Sequence, residues 1–207
     1  MDDIIARGGV FMWPLLLASA LALGAGFERF LYFMRLKKFG RAQRQEIERA
    51  LASGDLGKAS SLADGDGPSQ ACVRAAVENW SSSGEVVEAA MAVQAREYEP
   101  VLNRFLGLLE TIVTAAPLIG LLGTITGMMG VFHSVAKKLS HDPHANTTGI
   151  TAGIGEALIA TATGILVAVT ALLIHNVFQA QAEARMTEAE QTAESVRLAH
   201  IKKAGSE

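Results

Sequence analysis

Three stretches of this chain carry no Asp, Glu, Lys or Arg: Gly8 to Phe27, Thr111 to Ala136 and Ala157 to Ala182. The first holds 20 residues and the others 26 each, and about 20 helical residues are enough to cross roughly 30 Å of hydrocarbon. Three membrane spans are expected, the second interrupted in polarity only by His133. The first run does not read as a cleaved signal peptide, because its leader Met1-Asp2-Asp3 is acidic and Glu28-Arg29 stands where a small-residue cleavage site belongs.

Between Asp142 and Glu183 the single formal charge is Glu156, at the mouth of the third span. A lone charged side chain at the centre of a bilayer helix costs about 2.5–3.5 kcal/mol on insertion scales, so it is retained where it faces protein or a watery path. Proton or ion handling follows as the default reading. Half of the residues are hydrophobic, mean hydropathy is +0.27 and 19% are charged, which suits a small polytopic membrane protein. A net charge of −3 gives no reason to expect nucleic acid as a partner. One cysteine, Cys72, excludes an internal disulfide and a thiolate zinc site.

Basic residues set the expected orientation, since cytoplasmic flanks hold the excess of Lys and Arg. Arg35, Lys37, Lys38, Arg41 and Arg44 follow the first span, and residues 35–104 with the tail hold 14 of the 18 basic residues. Lys137 and Lys138 dissent. The expected layout is a periplasmic amino terminus over 1–9, span one over 10–34, a cytoplasmic helical segment over 35–104, span two over 105–136, a periplasmic loop over 137–152, span three over 153–178 and a cytoplasmic helix over 179–207. Within the polar segment, Arg41–Leu51 and Glu85–Leu109 have helical periodicity. Ser53-Gly54-Asp55, the Asp64 to Pro68 cluster and Ser81 to Gly84 read as breaks. The Glu85 helix has no strong breaker before span two, and the tail continues span three in Ala-, Glu- and Gln-rich sequence. The soluble part is therefore expected as a helical extension of the spans and not as a separate domain.

Span two contains Thr114-Ala-Ala-Pro117-Leu-Ile-Gly120-Leu-Leu-Gly123-Thr124-Ile-Thr-Gly127-Met-Met-Gly130. Glycines at spacings of 3, 4 and 3 share one side of a helix, and a small-xxx-small pair such as Gly123 and Gly127 admits a close neighbour. Packing alone would explain them; packing of several copies around an axis is the more specific expectation. Pro117 lacks an amide hydrogen and is expected to kink the span, freeing a carbonyl near Val113 for a threonine hydroxyl or water. In span three, Glu156, Ala160, Thr163, Val167 and Thr170 fall within about 40° of one line. Hydroxyls there could order water and pass protons, although a membrane threonine also bonds readily to the carbonyl four residues back. His133, His141 and His144 lie toward the outer end and His175 toward the inner end; each reads as an interfacial or loop histidine, and no metal is assigned.

Three strings carry a family resemblance: Phe27-Glu28-Arg29-Phe30-Leu31-Tyr32, Ala116-Pro117 through Gly127-Met128, and Gly155-Glu156-Ala157-Leu158 through Thr161 and Gly164, followed by Asn176-Val177-Phe178. With these the chain resembles the MotA/TolQ/ExbB proton channel family, in particular its ExbB/TolQ branch; the MotA branch would bring a fourth span. The resemblance implies an all-α membrane protein that forms a pentamer in the inner membrane of a Gram-negative bacterium. It also implies a single-span partner similar to ExbD or TolR that supplies a membrane aspartate, and envelope proteins such as TonB or a TolA-like component that receive the motion driven by proton entry. On this basis Glu156, Thr161 and Thr124 match pore-lining polar positions, and Pro117 matches the span-two proline. Two positions depart from the pattern: Val169-Thr170-Ala171 stands where a proline is frequent, and His175 where a tyrosine is frequent. Thr161 is also about 140° around the helix from Glu156, so Thr161 and Thr163 are competing candidates for the pore wall.

No nucleophile–base pair or phosphate-binding glycine loop is recognisable, so neither enzymatic activity nor a cofactor is expected. An oligomeric scaffold using the glycine faces for assembly, and a small-solute carrier, are the alternative readings. The carboxylate and threonine stripe disfavour the first, and the lack of an internal repeat disfavours the second.

Overall fold

Seven helices and the turns joining them make up the described residues, with no strand among them. The computed structural model describes residues 9–37, 39–141 and 149–204, with the side chains of residues 138–152 and of Glu156 outside the description. In chain order the helices are α1 (Met12–Arg35), α2 (Arg41–Ala52), α3 (Leu56–Leu62), α4 (Pro68–Glu78), α5 (Gly84–Leu102), α6 (Leu106–His141) and α7 (Gly149–Ala204). The three long apolar helices expected from the charge-free runs are α1, α6 and α7, each long and apolar enough to cross a membrane.

Local chemistry explains where the short helices start and stop. Asp55 accepts the Lys58 amide at 2.9 Å and so caps α3. Gly54 turns the chain between α2 and α3 with φ of +79°, a conformation glycine adopts without steric cost. Pro68 opens α4 at a position where its missing amide hydrogen is no loss. The turn clusters read from the sequence therefore fall between helices. The continuous Glu85–Leu109 helix does not form: α5 stops at Leu102, and Phe105 takes a left-handed φ of +64° before α6 begins.

Two compact units divide the chain: Met1–Glu28 with Phe105–Asn176, and Arg29–Arg104 with Val177–Glu207. The second corrects the expectation of a mere helical extension. It has its own hydrophobic core, in which Phe39, Ile47, Leu51, Cys72, Val73, Trp80, Val87 and Met91 are buried together with Ala189, Val196 and Ala199 of the tail. The tail positions recur at intervals of seven and three, placing them on one face of α7. Polar ties surround that seam: Arg44 donates to Gln191 Oε1 at 2.6 Å, Lys202 pairs with Glu48 at 3.1 Å, and a His200 ring nitrogen lies 3.2 Å from the Trp80 carbonyl oxygen. Helical periodicity foretells the helices of this segment, but a shared core requires the tail to return to residues between Phe39 and Met91.

The first unit is built differently. Beside buried large residues such as Leu15, Leu109 and Ile112, its interior holds many small side chains: Ala22, Ala25, Ala116, Ala157, Ala160, Ala168 and Ala171. Many of its larger ones, among them Trp13, Leu17, Phe27, Leu118, Met129, Phe132, Leu158, Leu166 and Leu173, stand at the surface. Such inversion is physically sensible in lipid, where exposed Leu and Phe carry no penalty and close backbone approach through small residues holds helices together.

Candidate functional site

The seam between α6 and α7 brings Gly120, Gly123, Gly127 and Thr161 together. A Cβ built on Gly120 would lie 2.9 Å from the Ala160 carbonyl oxygen and 3.0 Å from Thr161 Cα. One on Gly123 would lie 2.8 Å from Ala160 Cβ and 3.5 Å from Phe11 Cβ, and one on Gly127 2.9 Å from Ala157 Cβ. The approach is reciprocal, since a Cβ on Gly164 would fall 2.5 Å from the Ala116 carbonyl oxygen. The neighbour that the glycine face admits is thus the chain's own third span. Gly130 differs from the other three, with nothing within 4 Å of an added Cβ. In α1, Gly26 meets Ile174 of α7, with the Ile174 Cγ2 3.0 Å from an added Cβ.

Thr161 sits in the middle of that seam and donates its hydroxyl hydrogen to the Gly120 carbonyl oxygen at 2.9 Å. The other span hydroxyls behave differently. Thr124 donates to Leu121, Thr163 to Ile159 and Thr170 to Leu166, all on the donor's own helix and at 2.7, 2.8 and 2.8 Å. Helical geometry accounts for the contrast. Ala157, Ala160, Thr161, Gly164 and Ala168 lie on the side of α7 that faces α6, whereas Glu156, Thr163 and Thr170 lie roughly 100–140° away from Ala157. The structure therefore puts Thr161 and Gly120 together and keeps Thr163 on another face. Thr124 stands one turn beyond Gly120 on α6, half-buried. Glu156 belongs to α7 between Gly155 and Ala157, and its side chain lies outside the described residues.

Pro117 lies inside α6, which carries on past it to His141. Thr114, a candidate to take the carbonyl that the proline leaves near Val113, instead donates to Glu110 at 3.2 Å and to Thr111 at 3.0 Å. At the position where a proline was noted as frequent, Thr170 bonds back within an unbroken α7. His175 lies 3.3 Å from the Asn176 side-chain oxygen through Nδ1. Of the histidine cluster, Asp142, Pro143 and His144 lie outside the described residues. Among the described residues no group of three His, Cys, Asp or Glu side chains could hold a metal ion.

Arg29, to which the sequence assigns no role beyond its place in the Phe27–Tyr32 string, is bound tightly in the structure. It is 1% exposed, donates Nη1 to the carbonyl oxygens of Val101 at 2.7 Å and Leu102 at 3.3 Å, and lies 4.8 Å from the centre of the Tyr32 ring. A cation at the carbonyl end of α5 is favourably placed against the helix dipole. The signal available in the sequence was the Glu28-Arg29 pair at the end of an apolar run, with Tyr32 three residues on.

Residues 64–191 match the model of the MotA/TolQ/ExbB proton channel family. The protein named ExbB-like 1 of Synechocystis sp. is 38% identical over 179 residues, covering 84% of this chain and 69% of its own. The biopolymer transport protein ExbB of Salmonella typhimurium is 27% identical over 191 residues, covering 86% of this chain and 75% of its own. The Tol-Pal system protein TolQ of Pseudomonas aeruginosa is 36% identical over 99 residues, covering 48% of this chain and 41% of its own.

Proposed function

Because the chain belongs to the MotA/TolQ/ExbB proton channel family, we propose that it is the channel-forming subunit of a bacterial inner-membrane complex that couples the proton motive force to work on envelope partners. It is multi-pass, with the amino terminus periplasmic and the Arg29–Arg104 unit and tail cytoplasmic, and it catalyses no covalent chemistry. Five copies enclose the membrane helices of a single-span partner similar to ExbD or TolR, whose aspartate accepts the proton. A TonB- or TolA-like protein takes up the motion.

The observation that carries this reading is the placement of one carboxylate, Glu156, in a helix otherwise free of charge from Gly149 to Ala182. A charge in that setting needs a polar partner or water. Packing supports an assembly of several chains: Trp13, Leu17, Leu118, Phe132, Leu166 and Leu173 stand exposed along the three apolar helices, so broad apolar faces remain for lipid, sister subunits and an enclosed partner. A scaffold assembled through its glycines is the weaker reading, because Gly120, Gly123 and Gly127 already pack on α7 of the same chain.

The test is proton flux in liposomes holding the purified chain with an ExbD/TolR-type partner, read with an internal pH dye under an imposed potential. Glu156→Ala is expected to abolish partner-dependent flux with oligomer mass unchanged. Flux equal to wild type in Glu156→Ala would overturn the channel reading; full flux in Glu156→Gln alone would reduce the requirement at this position to hydrogen bonding.

A further inference from the structure

The two oxygens that Arg29 holds are those of Val101 and Leu102, the last residues of α5. In an unbroken α-helix these oxygens would accept from the amides of residues 105 and 106, because each carbonyl bonds four residues ahead. One guanidinium nitrogen therefore supplies both acceptors with a donor at the place where the helical ladder stops. Two further features bear on the same spot. Phe105 holds a φ of +64°, a conformation unfavourable for a residue with a Cβ and rarely adopted by bulky side chains. Pro100 lies within the last turn of α5 and removes the helical bond to the Arg96 carbonyl.

The sequence from Asn103 to Leu106 contains neither glycine nor proline, so nothing in its composition obliges the helix to end there. The bonds from Arg29 fall at that end. We propose that Arg29 is the latch of a two-state helix junction: with its guanidinium on Val101 and Leu102 the helix stops and Phe105 stays left-handed, and with it withdrawn residues 103–105 wind into a single helix running from α5 into α6. Each state satisfies the same two carbonyls, once by a side chain and once by backbone amides. Such an exchange of equivalent donors permits two discrete arrangements without leaving a buried acceptor bare.

The test uses the full chain with its single cysteine replaced, Cys72→Ala, and spin labels at Val93→Cys and Thr114→Cys, both exposed positions. Labelled protein is diluted into unlabelled chain so that distances come from within one copy. In a continuous helix the two backbone positions are 21 residues and therefore about 31 Å apart. Arg29→Met is expected to add or enlarge a population at that separation by at least threefold. Phe105→Val leaves Arg29 intact and penalises the left-handed conformation further, and is expected to shift the distribution the same way. Phe105→Gly, which removes that penalty, is expected to shift it back and to suppress the effect of Arg29→Met. Should Arg29→Met fail to fold, the opposed responses of Phe105→Val and Phe105→Gly still decide. A distance distribution unchanged in the Phe105 variants would overturn the two-state junction, and a response to Phe105 without one to a folded Arg29→Met would remove Arg29 as its latch.

Discussion

The Thr161 hydroxyl donates to the Gly120 carbonyl oxygen at 2.9 Å, joining the third span to the second where Gly120 and Gly164 let them approach closely. The bond is possible because neither Gly120 nor Gly164 brings a side chain into the seam. Membrane hydrogen bonds of this type contribute about 0.6 kcal/mol on average, so their larger value is directional: they fix the rotation of one helix against another. A rotated α7 would turn Glu156, about 140° from Thr161, toward a different neighbour.

Glycine substitutions in α6 are expected to separate by position. Gly120→Ala and Gly164→Ala press a methyl onto backbone atoms at 2.9 and 2.5 Å, which no rotamer change can relieve, and each is expected to destabilise the spans by about 1–3 kcal/mol. Gly130→Ala meets nothing within 4 Å and is expected to be neutral in the chain's own packing. Thermal unfolding in mild detergent reads the difference; equal melting temperatures for Gly120→Ala and Gly130→Ala would contradict the seam described above.

The three threonines provide a second contrast. Thr161→Val removes a bond between helices, whereas Thr163→Val and Thr124→Val remove bonds within one helix. Partner-dependent flux is expected to fall steeply for Thr161→Val and Thr124→Val and only slightly for Thr163→Val. Only Thr161→Val is expected to lower the melting temperature as well. A severe Thr163→Val defect would move the pore wall to the Glu156–Thr163–Thr170 face.

Cys72 is expected to be chemically quiet in the folded protein. It is fully buried, donates toward the Met91 carbonyl at 3.6 Å, and burial pushes its thiol from an ordinary 9.0 up to about 11. Maleimide labelling at pH 8 is expected to be at least tenfold slower in native protein than in denatured protein. The raised value means that the folded state binds the thiol proton more tightly. The resulting stability is fully present below pH 9 and is lost as pH rises toward 11. Denaturant titrations at pH 8 and pH 11 should therefore differ for wild type by more than for Cys72→Ala.

Sidedness must then be read from another thiol, because burial alone would protect Cys72 on either side of the membrane. With Cys72→Ala as background, Ser82→Cys introduces a thiol at an exposed position. An impermeant maleimide applied to intact spheroplasts is expected to leave it unmodified until the membrane is opened. Labelling in sealed cells would invert the proposed orientation.

The sequence by itself determined the three apolar helices, the turns around Gly54, Gly65 to Pro68 and Ser81 to Ser83, the small-residue face of α6 and the isolation of Glu156. These properties are set by charge, by turn chemistry and by periodicity along a few neighbouring residues, all local quantities. Tertiary structure alone decided which helix occupies the glycine face, that Thr161 and not Thr163 bridges to Gly120, that Ala189, Val196 and Ala199 return to the core of the second unit, and that Arg29 reaches the Val101 and Leu102 carbonyls at the end of α5. Each of these pairs residues at least 30 positions apart, as with Gly127 and Ala157 at 30, Gly120 and Thr161 at 41 and Arg29 and Leu102 at 73. Helical periodicity says which residues share a face, but not which other face will meet it; that choice is made by the packing of whole helices, where small surfaces fit and buried carbonyls find donors.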